Sequence, residues 1–212
     1  IAVVTSAVSF VKKTEARIAL IASLYTFIIV IDQLAGAPLA MNALLSYFPQ
    51  VGARYYGIGN EYVGFLVTAP VLLFSLMLDS SASAKKAVRL AAPPVFLVCL
   101  AVVAAPGLGA NVGGFIACFA AYLLMTMVIF DIKISFRLVI ISGICIAASV
   151  AALALADAFI LKGSESHLGQ LVDRIAAGGW IEFFNIALRK LDTNFRLMGV
   201  SWWSALLISL TA

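Results

Sequence analysis

Charge is what this chain has least of. Only 11% of its 212 residues are Asp, Glu, Lys or Arg, against 64% hydrophobic ones. Soluble globular domains carry roughly 25% charged residues. A water-exposed fold could not cover that much apolar surface, so the composition calls for lipid as the solvent. Apolar–polar alternation in segments of about ten residues, the signature of a spanning β-barrel, is missing as well. That leaves α-helices. Histidine is represented by His167 alone, and the three cysteines, Cys99, Cys118 and Cys145, each sit inside an apolar run. An odd cysteine count at bilayer depth argues against disulfides and thiolate metal sites, and the three read as small buried hydrophobes. No HExxH, CxxC, GxSxG or Walker sequence occurs, so neither a nucleophilic triad nor a standard metal centre is expected, and no cofactor is assigned. The initial apolar run lacks the charged start and small-residue cleavage site of a secretory signal.

What the chain does have is long apolar runs. Those at 18–31, 62–78, 90–105, 115–130 and 138–160 predict five complete spanning helices. The first reaches spanning length with its flanks, 16–34. The apolar stretches at 1–11 and 202–212 are too short to span and read as partial spans of a longer polytopic protein. The expected fold is an all-α polytopic transmembrane helical bundle, one domain over 1–212, with about five complete spans plus partial end spans. Pro70 falls in the middle of the second span, where it removes a backbone hydrogen bond. A short interfacial or re-entrant helix is predicted over 39–48 and a polar loop over 79–89. In the fifth span Gly143, Ala147 and Ala151, and also Ala148, Ala152 and Ala156, recur every fourth residue. Such faces let helix backbones approach closely in lipid.

The one long polar region, 161–199, has the pattern of an extracytoplasmic amphipathic helix lying in the membrane interface. A bend is expected at Gly178-Gly179, because adjacent glycines weaken a helix by about 1 kcal/mol each.

Basic residues set the orientation. Lys12, Lys13, Arg17, Lys85, Lys86, Arg89, Lys133 and Arg137 fall in loops on one side, and Arg54 alone in short loops on the other. The first side is therefore expected to be cytoplasmic. The net charge of +4 is explained by this asymmetry, and nucleic acid is not expected as a partner.

The same topology gathers polar residues on the outer face. Asp32 ends the first span, Arg54, Asn60 and Glu61 precede the second, Asn111 precedes the fourth, Asp157 lies near the end of the fifth, and His167 follows. Ionisable groups at membrane depth are costly and are functional candidates by default. Glu61, His167 and Asp32 are the candidate acids or bases. Arg54, Asn60, Asn111 and Asp157 are the candidate substrate contacts. The Gly57-Ile-Gly-Asn60 turn could offer amides to an anion beside Arg54. Each residue also has a structural reading: Asn111 as the cap of the fourth helix, Arg54 and Glu61 as an ion pair, and Tyr55, Tyr56 and Tyr62 as an interfacial belt.

The run Gly-Ala-Arg-Tyr-Tyr-Gly-Ile-Gly-Asn-Glu-Tyr at 52–62 resembles a motif of a family of uncharacterised bacterial polytopic membrane proteins. The stretches at 109–114 and 166–169 are similar to further landmarks of that family, and the resemblance covers about 30–200. It implies the bacterial cytoplasmic (inner) membrane and supplies no activity. Two readings of function remain open from the residues. One is an outward-facing site for an anionic or lipid-linked envelope substrate. The other is a non-catalytic membrane subunit or anchor within a larger complex. A transporter is the third. The expected partners are membrane lipids, other membrane subunits or a further part of the same chain.

Overall fold

The computed structural model describes residues 11, 13–41, 43 and 57–160, with 153–160 by backbone alone, and a set of positions between 179 and 209. The chain divides into two compact units, 1–153 and 154–212. Five helices are described in order: α1 (Thr14–Leu34), α2 (Asn60–Leu78), α3 (Ala82–Ala104), α4 (Val112–Ile129) and α5 (Phe136–Ile160). The first four are long and apolar enough to cross a membrane. The architecture is an all-α helical bundle of a polytopic membrane protein.

Within the first unit, α2 is the hub. It packs against α1, α3 and α4, while α3 also meets α4 and, more lightly, α1. The core is a string of apolar side chains from these four helices, including Ile29, Leu66, Phe74, Phe96, Cys99, Cys118 and Tyr122. Phe74 meets Phe96 edge-on with ring centroids 5.5 Å apart. Phe96 in turn stacks on Tyr122 at 4.4 Å. Aromatic rings thus link α2, α3 and α4 through the middle of the bundle. Cys99 and Cys118 are buried there as free thiols, whereas Cys145 is exposed.

Pro70 explains one interhelical bond. Having no N–H, it cannot donate to the carbonyl of Leu66 four residues earlier. The Tyr122 hydroxyl of α4 donates to that carbonyl instead. In lipid no water stands ready to do so, and an unsatisfied carbonyl costs several kcal/mol.

The expected loop at 79–89 is shorter than its polarity suggested. Helix α3 already begins at Ala82, with Ser81 as N-cap accepting from the Ala84 N–H at 3.2 Å. Alanines and lysines are good helix formers, so the segment is polar yet helical. The proline pair Pro93-Pro94 consequently lies inside α3.

Helix α5 spans Phe136–Ile160 as a continuous helix. Over its described side chains, Val150 alone is among those packed on the core. The faces expected to receive a close helix, Gly143, Ala147 and Ala151 and likewise Ala148 and Ala152, are exposed. Nothing lies within 4 Å of where a Gly143 side chain would stand. The candidate short helix over 39–48 falls largely outside the described residues; its first two residues, 39 and 40, lie in a turn.

In the second unit every described position from 179 to 200 is helical. Gly179, in the expected glycine pair, takes φ +67, a left-handed conformation that glycine adopts readily.

Candidate functional site

The antiparallel order of α1–α4 brings the end of α1, the start of α2, the end of α3 and the start of α4 together. This Asn111 end is where the sequence placed its polar candidates. Its geometry is set by two glycine turns joined backbone to backbone. The Ile58 N–H donates to the Gly109 carbonyl at 2.7 Å, and Gly109 N–H donates to Val102 O at 2.8 Å. Gly57 adopts φ +78, and a side-chain carbon there would overlap the Gly109 carbonyl oxygen. One at Gly109 would overlap the carbonyls of Val102 and Val103. Both positions require glycine because two backbones meet there.

Asn111 fastens this seam. It is 6% exposed and is the N-cap of α4, its Oδ1 accepting from the Gly114 N–H at 2.8 Å. Its Nδ2 donates to Ile58 O and to Asn60 Oδ1, both at 3.1 Å. One side-chain amide therefore caps a helix and holds the neighbouring loop. Among the candidates, Asn60 and Asn111 are thus in direct contact.

Asp32 has a similar role on α1. It is 4% exposed. Its Oδ1 accepts from Leu39 N–H at 2.7 Å and its Oδ2 from Ala40 N–H at 2.9 Å. The chain reverses between them through Gly36 and Ala37, both at positive φ. A carboxylate holding two amides through charge-assisted bonds is a strong clamp. Among the described residues no lysine or arginine pairs with it; the salt bridge they contain joins Arg89 to Asp131. Tyr62 lies within electrostatic range of Asp32 and of Tyr25, and Tyr25 stacks on Phe65 at 5.5 Å.

Glu61 is exposed in the first turn of α2. A carboxylate there complements the helix dipole and opposes an anion at the same terminus. The Ile58 amide, one of the donors the sequence offered to an anion, is taken up by Gly109. Arg54 and His167 lie outside the described residues, as does the side chain of Asp157, whose backbone belongs to α5. The described residues hold no cluster of His, Cys, Asp and Glu suited to a metal ion.

Gln33 is the residue that sequence reasoning passed over. It is 1% exposed, and among the described residues neither its Nε2 nor its Oε1 has a hydrogen-bond partner. The available signal was an amide side chain placed directly after Asp32 at the end of an apolar run.

Two grooves open on the sides of the bundle. One, of about 550 Å³, runs between α1 and α3 past Phe27, Val30, Leu73 and Val98. The other, of about 230 Å³, lies between α3 and α4 beside Leu97 and Phe119. The hydroxyls along the first are turned back on their own helix, Ser23 to Leu20 O at 2.8 Å and Thr26 to Ala22 O at 2.9 Å. Both grooves suit hydrocarbon, and no chain of polar groups crosses the bundle among the described residues.

At the opposite end, Arg89 Nη2 pairs with Asp131 at 2.9 Å. Its Nε donates to Ile129 O at 3.0 Å, placing a cation at the C-terminus of α4, where the dipole favours it. No protein family, curated protein or solved structure matches the chain.

Proposed function

We propose that this chain is a non-catalytic membrane subunit: a helical frame that anchors other components in a bacterial inner membrane, with the Asn111 end facing outward. One observation carries the reading. Of the buried polar side chains at that end, Asp32 and Asn111 are taken up by hydrogen bonds to the chain's own turns and to Asn60, and among the described residues Gln33 alone is not. A reactive site holds its groups toward a substrate, whereas these groups hold backbone. The outward orientation is supported by the described basic residues of the first unit: Lys13, Arg17, Lys85, Lys86, Arg89, Lys133 and Arg137 all fall at or beyond the Arg89 end of α1–α4. The exposed small-residue face of α5 supports a role in contacting another membrane helix.

A second reading, an outward-facing site for an anionic or lipid-linked substrate, is favoured by the two amide atoms of buried Gln33, which are unpartnered among the described residues. Thermal unfolding of the full chain in detergent separates the two. A ligand at a hundred times its Kd stabilises by about 2.7 kcal/mol, several degrees for a domain of this size. The frame reading expects no saturable rise in Tm with inorganic phosphate or with a polyprenyl phosphate. A saturable rise that Gln33→Leu abolishes overturns it in favour of the substrate site.

A further inference from the structure

The second unit carries an exposed apolar stripe. From 179 to 200 the described positions are helical, and apolar residues recur at 181, 184, 188, 191, 195 and 198. At 3.6 residues per turn these six fall within an arc of about 100°. All six, Ile181, Phe184, Leu188, Leu191, Phe195 and Met198, are between 52% and 76% exposed. By the same spacing Asn185, Arg189, Asp192, Thr193 and Arg196 fall in a second arc of about 100°, shared with Val200 and flanked by Ile186 and Leu197, and Thr193 Oγ1 donates to the Arg189 carbonyl at 2.8 Å.

Three occupants could cover such a stripe. A transverse position in the bilayer core is excluded by charge, since Glu182, Arg189, Lys190, Asp192 and Arg196 all fall in this stretch and each is expensive at bilayer depth. A second copy of the same helix would use the stripe as a coiled-coil seam. The positions flanking such a seam would then be Asn185, Ala187, Asp192 and Asn194. Those positions normally carry the opposite charges that select a partner, and here they hold no such set. The basic residues Arg189 and Arg196 stand away from the seam, seven apart on the polar side.

That leaves a lipid surface. We infer that the 179–200 helix lies in the membrane interface, its apolar arc among the acyl chains and Arg189, Lys190 and Arg196 against anionic headgroups. Between 189 and 200 three basic residues face one acidic residue, Asp192, which is the charge complement of an anionic leaflet. The same chain has helices long and apolar enough to anchor it in a membrane, so the lipid is always at hand. The helix would therefore tie the second unit to the bilayer in a lipid-dependent way, whether or not the frame reading holds.

Spin labels test this on the full chain, with Cys99, Cys118 and Cys145 replaced. Single labels go at 188, 191 and 195 and at 189, 192 and 196. The protein is placed in phosphatidylcholine vesicles with and without phosphatidylglycerol. Collisions with oxygen should exceed those with a water-soluble nickel chelate at 188, 191 and 195, and the order should reverse at 189, 192 and 196. Phosphatidylglycerol should raise the docked fraction. Arg189→Gln and Arg196→Gln should each lower the docked-to-undocked ratio about fivefold. Equal water exposure at all six positions overturns the inference. So does spin–spin broadening at 188 that disappears on dilution with unlabelled chain, which would make a second copy the occupant.

Discussion

Replacing Tyr122 by phenylalanine isolates one oxygen atom. The ring keeps its stack on Phe96, while the donor to the Leu66 carbonyl is lost together with the hydroxyl's hydrogen bonds to the Cys99 and Cys118 thiols. Interhelical hydrogen bonds in membranes average about 0.6 kcal/mol because the unfolded helices find other partners. This carbonyl differs, since Pro70 denies it the local donor in every helical state. A buried acceptor left unsatisfied costs about 1–3 kcal/mol. The expected loss is therefore about 1.5 kcal/mol, near the upper end of the membrane range. Equilibrium unfolding in detergent or bicelles measures it. The decisive comparison is a cycle with Pro70→Ala, because alanine restores an N–H aimed at Leu66 O. In that background Tyr122→Phe should cost no more than about 0.5 kcal/mol, giving a coupling of about 1 kcal/mol. Pro70→Ala on its own also changes packing, so the coupling carries the argument. Equal losses from Tyr122→Phe in both backgrounds would refute the link between the proline and the hydroxyl.

At the glycine seam, Gly57→Ala combines a left-handed φ with overlap on Gly109 and should lower stability by at least about 2 kcal/mol. Gly107→Ala, where nothing lies within 4 Å, should stay within about 0.5 kcal/mol on the same unfolding curve. Asn111→Ala loses a helix cap and leaves the Ile58 carbonyl without the Asn111 donor, about 2–4 kcal/mol in all. Asn111→Asp keeps the cap acceptor and should fall between wild type and Ala. At the other end, Asp131→Asn removes an exposed pair, 46% and 84% accessible, and should cost under about 1 kcal/mol, vanishing at high salt. A larger, salt-insensitive loss would contradict that reading. Gln33→Leu removes two unpartnered buried polar atoms and should raise Tm, as replacing orphaned polar groups with apolar ones does; a lower Tm would mean the amide has a partner in the membrane.

Legibility followed the range of the interaction. Helices α1, α2, α4 and α5 could be read from apolar runs because hydropathy is summed over some twenty residues. The start of α3 was hidden because Lys85, Lys86 and Arg89 lower hydropathy without lowering helix propensity. The Asn111 cap was legible, being a local relation between a side chain and the turn that follows it. Its bonds to Ile58 and Asn60 were not, since they join residues about fifty positions apart. Both glycine turns stood out, yet only the folded chain shows that Gly57 needs its glycine because of Gly109. Asp32 was marked by its charge as a functional candidate. The partners that absorb its charge are the amides of Leu39 and Ala40, which no pattern in the residue types announces.

The two ends of the bundle are closed by different physics, and this decides how loss-of-function data should be read. The Arg89 end relies on an exposed ion pair, which water and salt can replace. The Asn111 end relies on Asp32 and Asn111, 4% and 6% exposed, whose partners are backbone groups and, for Asn111, the Asn60 side chain as well. Substitutions at those two residues will therefore damage the fold whether or not the end carries chemistry. Inactivity of an Asp32 or Asn111 variant is no evidence of catalysis by either. Glu61 is the informative residue at this end. It is exposed, lies one position beyond Asn60 in the first turn of α2, and makes no hydrogen bond or ion pair among the described residues. Glu61→Gln keeps the side-chain shape and leaves the Asn111–Asn60 bond intact. A functional defect in that variant at unchanged Tm would speak for chemistry at the outer face; a silent variant leaves the end as the clasp of a frame.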